Sequence, residues 1–281
     1  MEKIIVMLPS SLIIDSPDLR SKTEKIGHIG RILSIYRIRK IMLYFTRESN
    51  HKKNARLISS LMKYMECPQY LRKRLFPLRP ELKYAGILPP LRTPHHPTES
   101  KLEELRDGEH REGVVVKSNR SLSLVDVGVE KPIMLKKANL PAGKRITVRI
   151  TKNERIHAEN VKPRETREYW GYSVSITGQF LGKSLRKTPS DIVIATSRKG
   201  IKIADVAKTL VNSWQKSRRV LLLFGAPHQG LDEILGEEGI ELNEVADFNI
   251  NTIPRQGTKT VRTEEAVQST LAVLDLLSDV F

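Results

Sequence analysis

The chain has 281 residues, 39% apolar and 28% charged, and 48 Lys and Arg against 32 Asp and Glu leave a formal net charge of +16. That length holds one large domain or two small ones with a proper core, and the charge points to a polyanionic partner, RNA, DNA or an anionic membrane, with a generally charged surface as the other reading. The lone cysteine, Cys67, excludes an intrachain disulfide and a thiolate metal cluster within one chain, and no apolar run reaches the roughly 18 residues of a spanning helix.

The charge is uneven. From Leu221 to Phe281 there are three basic and eleven acidic residues, so this segment carries −8 and residues 1–220 carry +24. The first part is expected to grip a polyanion and the last part to do something else. The start, "MEKIIVMLPSSLI", lacks a long apolar core and a small-residue cleavage pattern, and reads as a first strand, not a signal peptide. A soluble, cytoplasmic protein is expected.

In chain order, Lys3 to Leu8 is a short β-rich run that suits a buried parallel strand. Residues 18–35 read as a helix with Leu19, Ile26, Ile29, Ile32 and Leu33 on its apolar stripe and Lys22, Lys25 and Arg31 among its polar positions. "KIMLYF" (Lys40–Phe45) is a second strand. "ESNHKKNARLISSLMKYMECP" is a helix with Ala55, Ile58, Leu61, Met62 and Met65 on one side, ended by Pro68. Strand and helix alternate, as in an α/β domain.

After Leu71 the composition turns to Pro, Arg and His, which reads as a domain border with a basic surface. Residues 111–180 then read as all-β. "REGVVVKSNRSLSLVDVGVEKPIML" gives two short strands around a polar turn, "GKRITVRITKN" another and "YWGYSVSITG" another, punctuated by Gly113, Gly128, Gly143 and Gly171. Strands of this size fit a small OB-like barrel, a common nucleic-acid module. Its RNA-contacting face would carry Arg149, Lys152, Arg155, Lys162, Arg164 and Arg167, which otherwise are solvated edges and loops.

Alternation resumes with "DIVIATS", the helix "KIADVAKTLVNSWQKS", the buried strand "RRVLLLFGA", the short helix "LDEILGEEG", the strand within "VADFNINTI" and the last helix "TEEAVQSTLAVLDLLSDVF", where Thr263, Glu264 and Glu265 form a cap and acidic first turn. The expected architecture is a discontinuous α/β domain, residues 1–90 and 175–281, with a β-barrel inserted at 91–174.

Gly225 and Gly230 follow a predicted buried strand, where open α/β sheets place ligands and where glycine lets backbone approach closely. "IPRQG" (Ile253–Gly257) is a second turn-rich loop behind a strand. Neither has the Lys and Thr of a P-loop or a G-x-G-x-x-G fingerprint. The acidic segment around them disfavours a ligand with several phosphates and suits a neutral or cationic one held by backbone. By themselves the two loops are either ligand loops or plain turns.

The pieces "LLLFGAPHQGLDEIL" and "FNINTIPRQGTKTVRTEEAVQSTLAVLDLL" resemble the SPOUT methyltransferases, α/β enzymes with a trefoil-knotted parallel sheet. "KTEKIGHIGRI" and "YAGILPPLRTPHHP" (Tyr84–Pro97) narrow the resemblance to the archaeal and eukaryotic subgroup with an OB-like insertion, over essentially the whole chain. The resemblance implies S-adenosylmethionine bound in a bent form by the loops at Leu223–Gly230, Phe248–Ile253 and Gly257–Arg262. Leu223, Phe224, Gly225, Gly230, Asn249, Asn251, Ile253, Gly257, Thr258 and Val261 are the expected cofactor residues. It also implies a homodimer through the knot region and last helix.

Methyl transfer is an in-line displacement, so the protein mainly aligns donor and acceptor, and a base helps where the nucleophile keeps a proton. His228, in the cofactor loop, is either that base or a backbone partner. The resemblance implies a functional arginine at a partner-facing site on the first helix, where Arg31 lies and where its planar fork suits phosphate or a developing base anion. Arg262 and Asn251 are further candidates. Glu264 and Glu265 either orient Arg262, shape the pocket or cap the helix. Arg92, His95 and His96 of "LRTPHHP" either contact RNA or brace the domain border, and no third ligand suggests a metal.

The expected function is an S-adenosylmethionine-dependent RNA methyltransferase acting on ribosomal RNA at a base nitrogen, with uridine N3 suggested by the family. One alternative is a ribose 2′-O-methyltransferase of tRNA or rRNA, which the same fold supports. Another is a noncatalytic RNA-binding or ribosome-assembly factor. Duplex DNA is disfavoured by the lack of a helix-turn-helix, zinc-finger or basic-zipper pattern.

Overall fold

The apolar runs of the sequence become the centre of a six-stranded parallel sheet. β1 (Ile4–Pro9) is buried at every position and so is β10 (Val220–Leu223), as expected of parallel strands covered on both faces. The order across the sheet is β11 (Phe248–Asn251), β9 (Ile192–Lys202), β10, β1, β2 (Lys40–Phe45) and β8 (Ser173–Phe180). The computed structural model describes residues 1, 3–119, 122–135, 139–153 and 155–280. They form two units, Met1–Lys63 with Glu81–Pro89 and Tyr172–Phe281, and Tyr64–Pro80 with Pro90–Gly171.

In the sheet unit, α1 (Leu19–Ile35) buries Ile26, Ile29, Ile32 and Leu33, while Leu19 is half-buried. Asp18 caps it by accepting from the Ser21 amide at 2.9 Å. α2 (His51–Glu66) buries Ala55, Ile58, Leu61, Met62 and Met65 completely. Gly27 explains why "KIGHIG" and "ILPP" belong together. A Cβ at Gly27 would lie 2.8 Å from Pro89 Cδ and 2.9 Å from a Leu88 methyl, so only glycine lets the 81–89 segment lie on α1.

Two expectations need correction here. "YWGYSVSITG" does not join the barrel; Ser173–Ile176 pair in parallel with Lys40–Leu43, as the edge strand β8. A half-covered edge strand alternates in burial as a barrel strand does, so the pattern alone does not separate them. Lys25, placed among polar positions, is buried. Its ammonium lies 2.7 Å from Asp15 and 3.1 Å from Glu264, with only 6% of its side chain exposed. This triad ties α1 to the first turn of α8 (Thr263–Val280).

The second unit holds a closed barrel of β3 (His110–Ser118), β4 (Ser123–Asp126), β5 (Ile133–Leu135), β6 (Arg145–Lys152) and β7 (Ile156–Val161). Its order is β3-β4-β5-β7-β6, with β6 returning to β3 and only β5 and β7 parallel. This is the five-stranded OB-like arrangement. Residues 111–135 thus supply three strands where two are expected, and Arg120 and Ser121, at the tip of the expected polar turn, lie outside the described residues. Val115, Val125, Leu135, Val148 and Ile150 fill the interior. α3 (Gln69–Leu75), which the periodicity does not announce, packs Leu71 with Cys67 and Val114. Burial pushes the Cys67 thiol up to about 11, so it behaves as a small apolar group.

A polar network is buried beside this barrel. Arg145 donates to both Glu66 carboxylate oxygens, at 2.7 and 2.9 Å, and through Nε to Glu112 at 2.6 Å. Thr147 Oγ1 and Trp170 Nε1 both donate to Glu112 Oε1 at 2.6 Å. His95, fully buried, sets Nε2 3.0 Å from the Glu66 carbonyl and 3.2 Å from its Oε1; His96 Nε2 lies 2.7 Å from the same carbonyl. Gly171 adopts φ +77° under this cluster, and a Cβ there would come within 2.6 Å of Glu66 Oε1. Burial by itself raises the Glu66 carboxyl, but the His95 hydrogen bond and the Arg145 charge overcome it and hold it at about 2. Burial, with His95 next to it, lowers His96 to about 4.

Two predictions follow from these buried charges. Lys25→Ala leaves Asp15 and Glu264 without their cation and is expected to lower unfolding free energy by about 3 kcal/mol in urea titration; a loss near zero would show that solvent replaces the ammonium. Acid stability is expected to fall in two stages. Both folded-state values lie below the unfolded ones, so each group stabilises the fold above its unfolded value and ceases to as pH falls. His96 acts between about 6.5 and 4, and Glu66 between about 4.5 and 2. Thermal melts against pH should show both, with the lower stage removed in Glu66→Gln and the upper in His96→Asn.

Candidate functional site: a cavity at the C-terminal edge of the parallel sheet

Parallel strands end together, and the loops that leave them there share one edge. In this sheet the loops after β10 and β11 and an excursion within β9 enclose a cavity of about 360 Å³. That lies within the roughly 300–1,000 Å³ range of small-molecule sites.

The first wall is the turn that puzzles in the sequence. Ala226 N donates to Gln229 O at 2.9 Å, folding "GAPHQG" back on itself. A Cβ at Gly225 would lie 3.0 Å from Gln229 O, so the turn needs a small residue there. Gly230 begins α6 (Leu231–Gly236), where Glu233 accepts from its amide at 3.2 Å. A Cβ at Gly230 would meet no atom within 4 Å; the side chain it lacks leaves room beside the cavity.

The second wall comes from β9 and β11. Their pairing runs Asn249 with Ala195, then jumps to Ile250 with Ile201. Residues 196–200 are thereby looped out, and Thr196, Ser197, Arg198 and Lys199 line the cavity. Gly200 permits the return, since a Cβ there would be 2.6 Å from the Ile250 carbonyl carbon. Asn251 Nδ2 donates to Arg198 O at 2.8 Å, its Oδ1 accepts from Ile253 N at 2.9 Å, and Arg198 Nη1 donates to Lys259 O at 2.9 Å. The loop leading to α8 is thus stitched to the excursion.

Of the expected cofactor residues, Phe224, Gly225, Gly230, Asn251, Ile253 and Val261 line this cavity. Leu223 is fully buried in β10, with its carbonyl accepting from Thr196 Oγ1 at 2.8 Å. Asn249 lines an adjoining hollow with Asp232. Gly257 and Thr258 flank the lining residues Gln256 and Lys259, and Thr258 Oγ1 donates to Thr260 O. Sequence reasoning missed Thr196–Lys199 and Thr270 and gave Thr263 only as a helix cap; with Thr252 of the expected Phe248–Ile253 loop they bring hydroxyls and cations to the wall. The strand-end rule that singles out Gly225 applies equally to "DIVIATS" and would have found the first of them.

His228 lines the cavity and is exposed. Burial raises the nearby Glu48 carboxyl, the His228 charge draws it back down and Glu237 raises it further. Gln229 Nε2 donates to Glu237 at 2.6 Å, and Arg47 lies 4.0 Å from its other oxygen. Arg31 is half-buried on α1 and is not among the lining residues. Arg262 is exposed at the start of α8. The Glu265 carboxylate accepts from its amide at 2.8 Å, so Glu265 caps the helix while Glu264 pairs with Lys25. The cavity wall is also less acidic than its segment: Arg198, Lys199 and Lys259 stand against Asp232 and Glu233.

In the barrel unit, His95 and His96 hold Glu66 from inside, so they brace the fold; a fully buried His95 offers RNA no surface. Lys152 Nζ donates to the Glu103 and Leu105 carbonyls. Arg149 pairs with Glu159 at 2.6 Å at the surface. Arg92, Arg155 and Arg164 are exposed. Among the described residues no three His, Cys, Asp or Glu side chains gather as a metal site, and no helix is long and apolar enough to cross a membrane.

A parallel α/β sheet with a loop-built cavity at its C-terminal edge, carried in one chain with an OB-like barrel, defines the class: a small-molecule-dependent enzyme with a nucleic-acid-binding module. The family follows from comparison. A family model described as "Putative RNA methyltransferase" matches residues 3–274, and the chain belongs to that SPOUT-type family. It is an S-adenosylmethionine-dependent RNA methyltransferase. An uncharacterized Halobacterium salinarum protein is 32% identical over 96% of this chain and 98% of its own length. The 28S rRNA (uridine-N(3))-methyltransferase of Drosophila melanogaster is 30% identical over 96% of this chain, which spans 61% of the fly protein. The human protein of the same name is 31% identical, over 96% of this chain and 77% of its own.

The residues present fit the cofactor. Phe224, Ile250, Ile253 and Val261 offer apolar surface for an adenine ring, and turn backbone and the hydroxyls of Thr196, Thr252 and Thr263 offer hydrogen bonds for a ribose and an amino-acid end.

Proposed function

We propose that this enzyme methylates N3 of a uridine in ribosomal RNA. The observation that carries the chemistry is the cavity closed by the 225–230 turn and the stitched β9 and β11 loops, with His228 on its wall; the names of the fly and human relatives support the substrate. Bound S-adenosylmethionine supplies an electrophilic methyl group on a sulfonium.

The chain's own part is alignment and proton handling. The two loop walls hold the donor, and the barrel unit, with Arg92, Arg149, Arg155 and Arg164, holds structured RNA. Uridine N3 carries a proton that must leave as the methyl arrives. His228 takes it, and the Glu48 carboxylate stabilises the imidazolium that forms. Arg31 and Arg262 position the base and its phosphate. In this reading the enzyme is a homodimer through α1 and α8, supported by exposed Ile35, Leu276 and Val280 on those helices, and Arg31 serves the partner's site.

Calorimetric titration of S-adenosylmethionine is expected to show one site per chain, lost in Gly225→Trp, whose ring has no room beside Gln229 O. After reaction with rRNA, nucleoside analysis should yield 3-methyluridine; a 2′-O-methylated nucleoside would replace the uridine-N3 reading. His228→Ala is expected to lower kcat about 100-fold or more, and an unchanged kcat would remove His228 from the mechanism.

A further inference from the structure

The last 61 residues contain only three cations, Arg255, Lys259 and Arg262, and all three fall within one loop of eight residues. That loop borders the cavity. The looped-out stretch of β9 and the strand end that follows it add Arg198, Lys199 and Lys202. The Arg198–Lys259 and Asn251–Arg198 hydrogen bonds bind the two segments together. All six side chains are exposed, and none forms an ion pair among the described residues.

Like charges held along one rim and not ion-paired, in excess over the Asp232 and Glu233 carboxylates of the same wall, repel one another, so such a cluster costs stability unless a ligand uses it. The cofactor cannot be that ligand for the whole cluster. It brings one carboxylate against an ammonium and a sulfonium, a net positive charge, and one cation is enough for that carboxylate. The excess suits a polyanion whose charges repeat along a chain.

We propose that this rim, on the catalytic unit itself and separate from the barrel, is the surface that grips the phosphates of the target RNA strand. The proposal rests on the reading that the cavity takes S-adenosylmethionine and that the substrate is RNA. The rim would hold the strand on either side of the uridine while the cavity holds the donor. Positive side chains there add affinity without reading sequence, because phosphate contacts position and base contacts specify.

The test is a double variant, Lys202→Gln with Arg255→Gln, in the full chain, since neither residue lines the cofactor cavity. Binding of a fluorescein-labelled oligouridylate is followed by anisotropy at several KCl concentrations, and S-adenosylmethionine binding by calorimetry. For single strands the salt slope of log K changes by roughly 0.7 per phosphate contact. Two lost contacts should therefore flatten the slope by about 1.4 and weaken RNA binding severalfold at low salt, with cofactor affinity unchanged. An unchanged slope and RNA affinity would overturn the proposal. Weaker cofactor binding with unchanged RNA binding would also overturn it, assigning the cations to the cofactor carboxylate. If the unaltered protein fails to bind S-adenosylmethionine, the cofactor reading falls, whereas the salt slope still reports on the rim.

Discussion

The register jump between β9 and β11 is the constraint on which the site depends. Continuous pairing past Asn249 would leave Thr196–Gly200 flat in the sheet, and the cavity would lose the Thr196–Lys199 part of its wall. The jump to Ile250 opposite Ile201 lifts five residues out of the ladder. It is possible because Gly200 has no Cβ to collide with the Asn249 and Ile250 backbone. A bulged strand leaves backbone groups without ladder partners. Here the compensation is local: Asn251 bonds the Arg198 carbonyl, and Arg198 in turn bonds the Lys259 carbonyl. The pocket is therefore a product of backbone geometry before any side chain specifies a ligand, which suits a cofactor recognised largely through main-chain groups.

The barrel unit solves a different problem, that of burying charge. Glu66, Glu112, Arg145 and the histidine pair form a network in which nearly every polar atom has a partner; His95 Nδ1 is an exception. Such networks add less net stability than an apolar core of equal volume, yet removing one member strands the rest. The "TPHHP" histidines act there as internal struts, with Gly171 turned to φ +77° to make room for them. Pro-His-His-Pro in a basic stretch invites a surface reading because the sequence does not show that Glu66, 29 residues before His95, is its partner.

What was legible in the sequence tracks how local the signal is. Periodicity alone identifies the buried face of α2 and most of that of α1, because each face is written within one helix. The fully apolar β1 and β10 announce a sheet covered on both sides. The OB-like arrangement follows from many short strands, but membership of Ser173–Phe180 in the other sheet is decided by pairing with residues 40–45, which no local pattern records. Lys25 is misread for the same reason: its two carboxylates come from a loop ten residues earlier and a helix start near the far end of the chain. The turn at Gly225 is readable as a turn; that it closes a cavity with Thr196–Lys199 is a fact of sheet order.

The acidic last segment shows why net charge is a poor guide to a site. Four of its eleven carboxylates hold backbone amides and a fifth pairs with a buried lysine. Glu233 accepts from the Gly230 amide, Glu238 from Gly182, Asp247 from Val193 and Glu265 from Arg262, while Glu264 neutralises Lys25. Each ends or joins an element, and Glu233 and Glu265 do so at the 225–230 turn and at the start of α8, beside the cavity. The segment's few cations are instead left at the cavity rim. Screening confines exposed charges to about 8–10 Å at physiological salt, so an incoming phosphate meets that rim and not the average of the segment. A summed charge of −8 thus coexists with a rim of cations, because five of the acidic residues are tied to the scaffold while Arg255, Lys259 and Arg262 are exposed and not ion-paired.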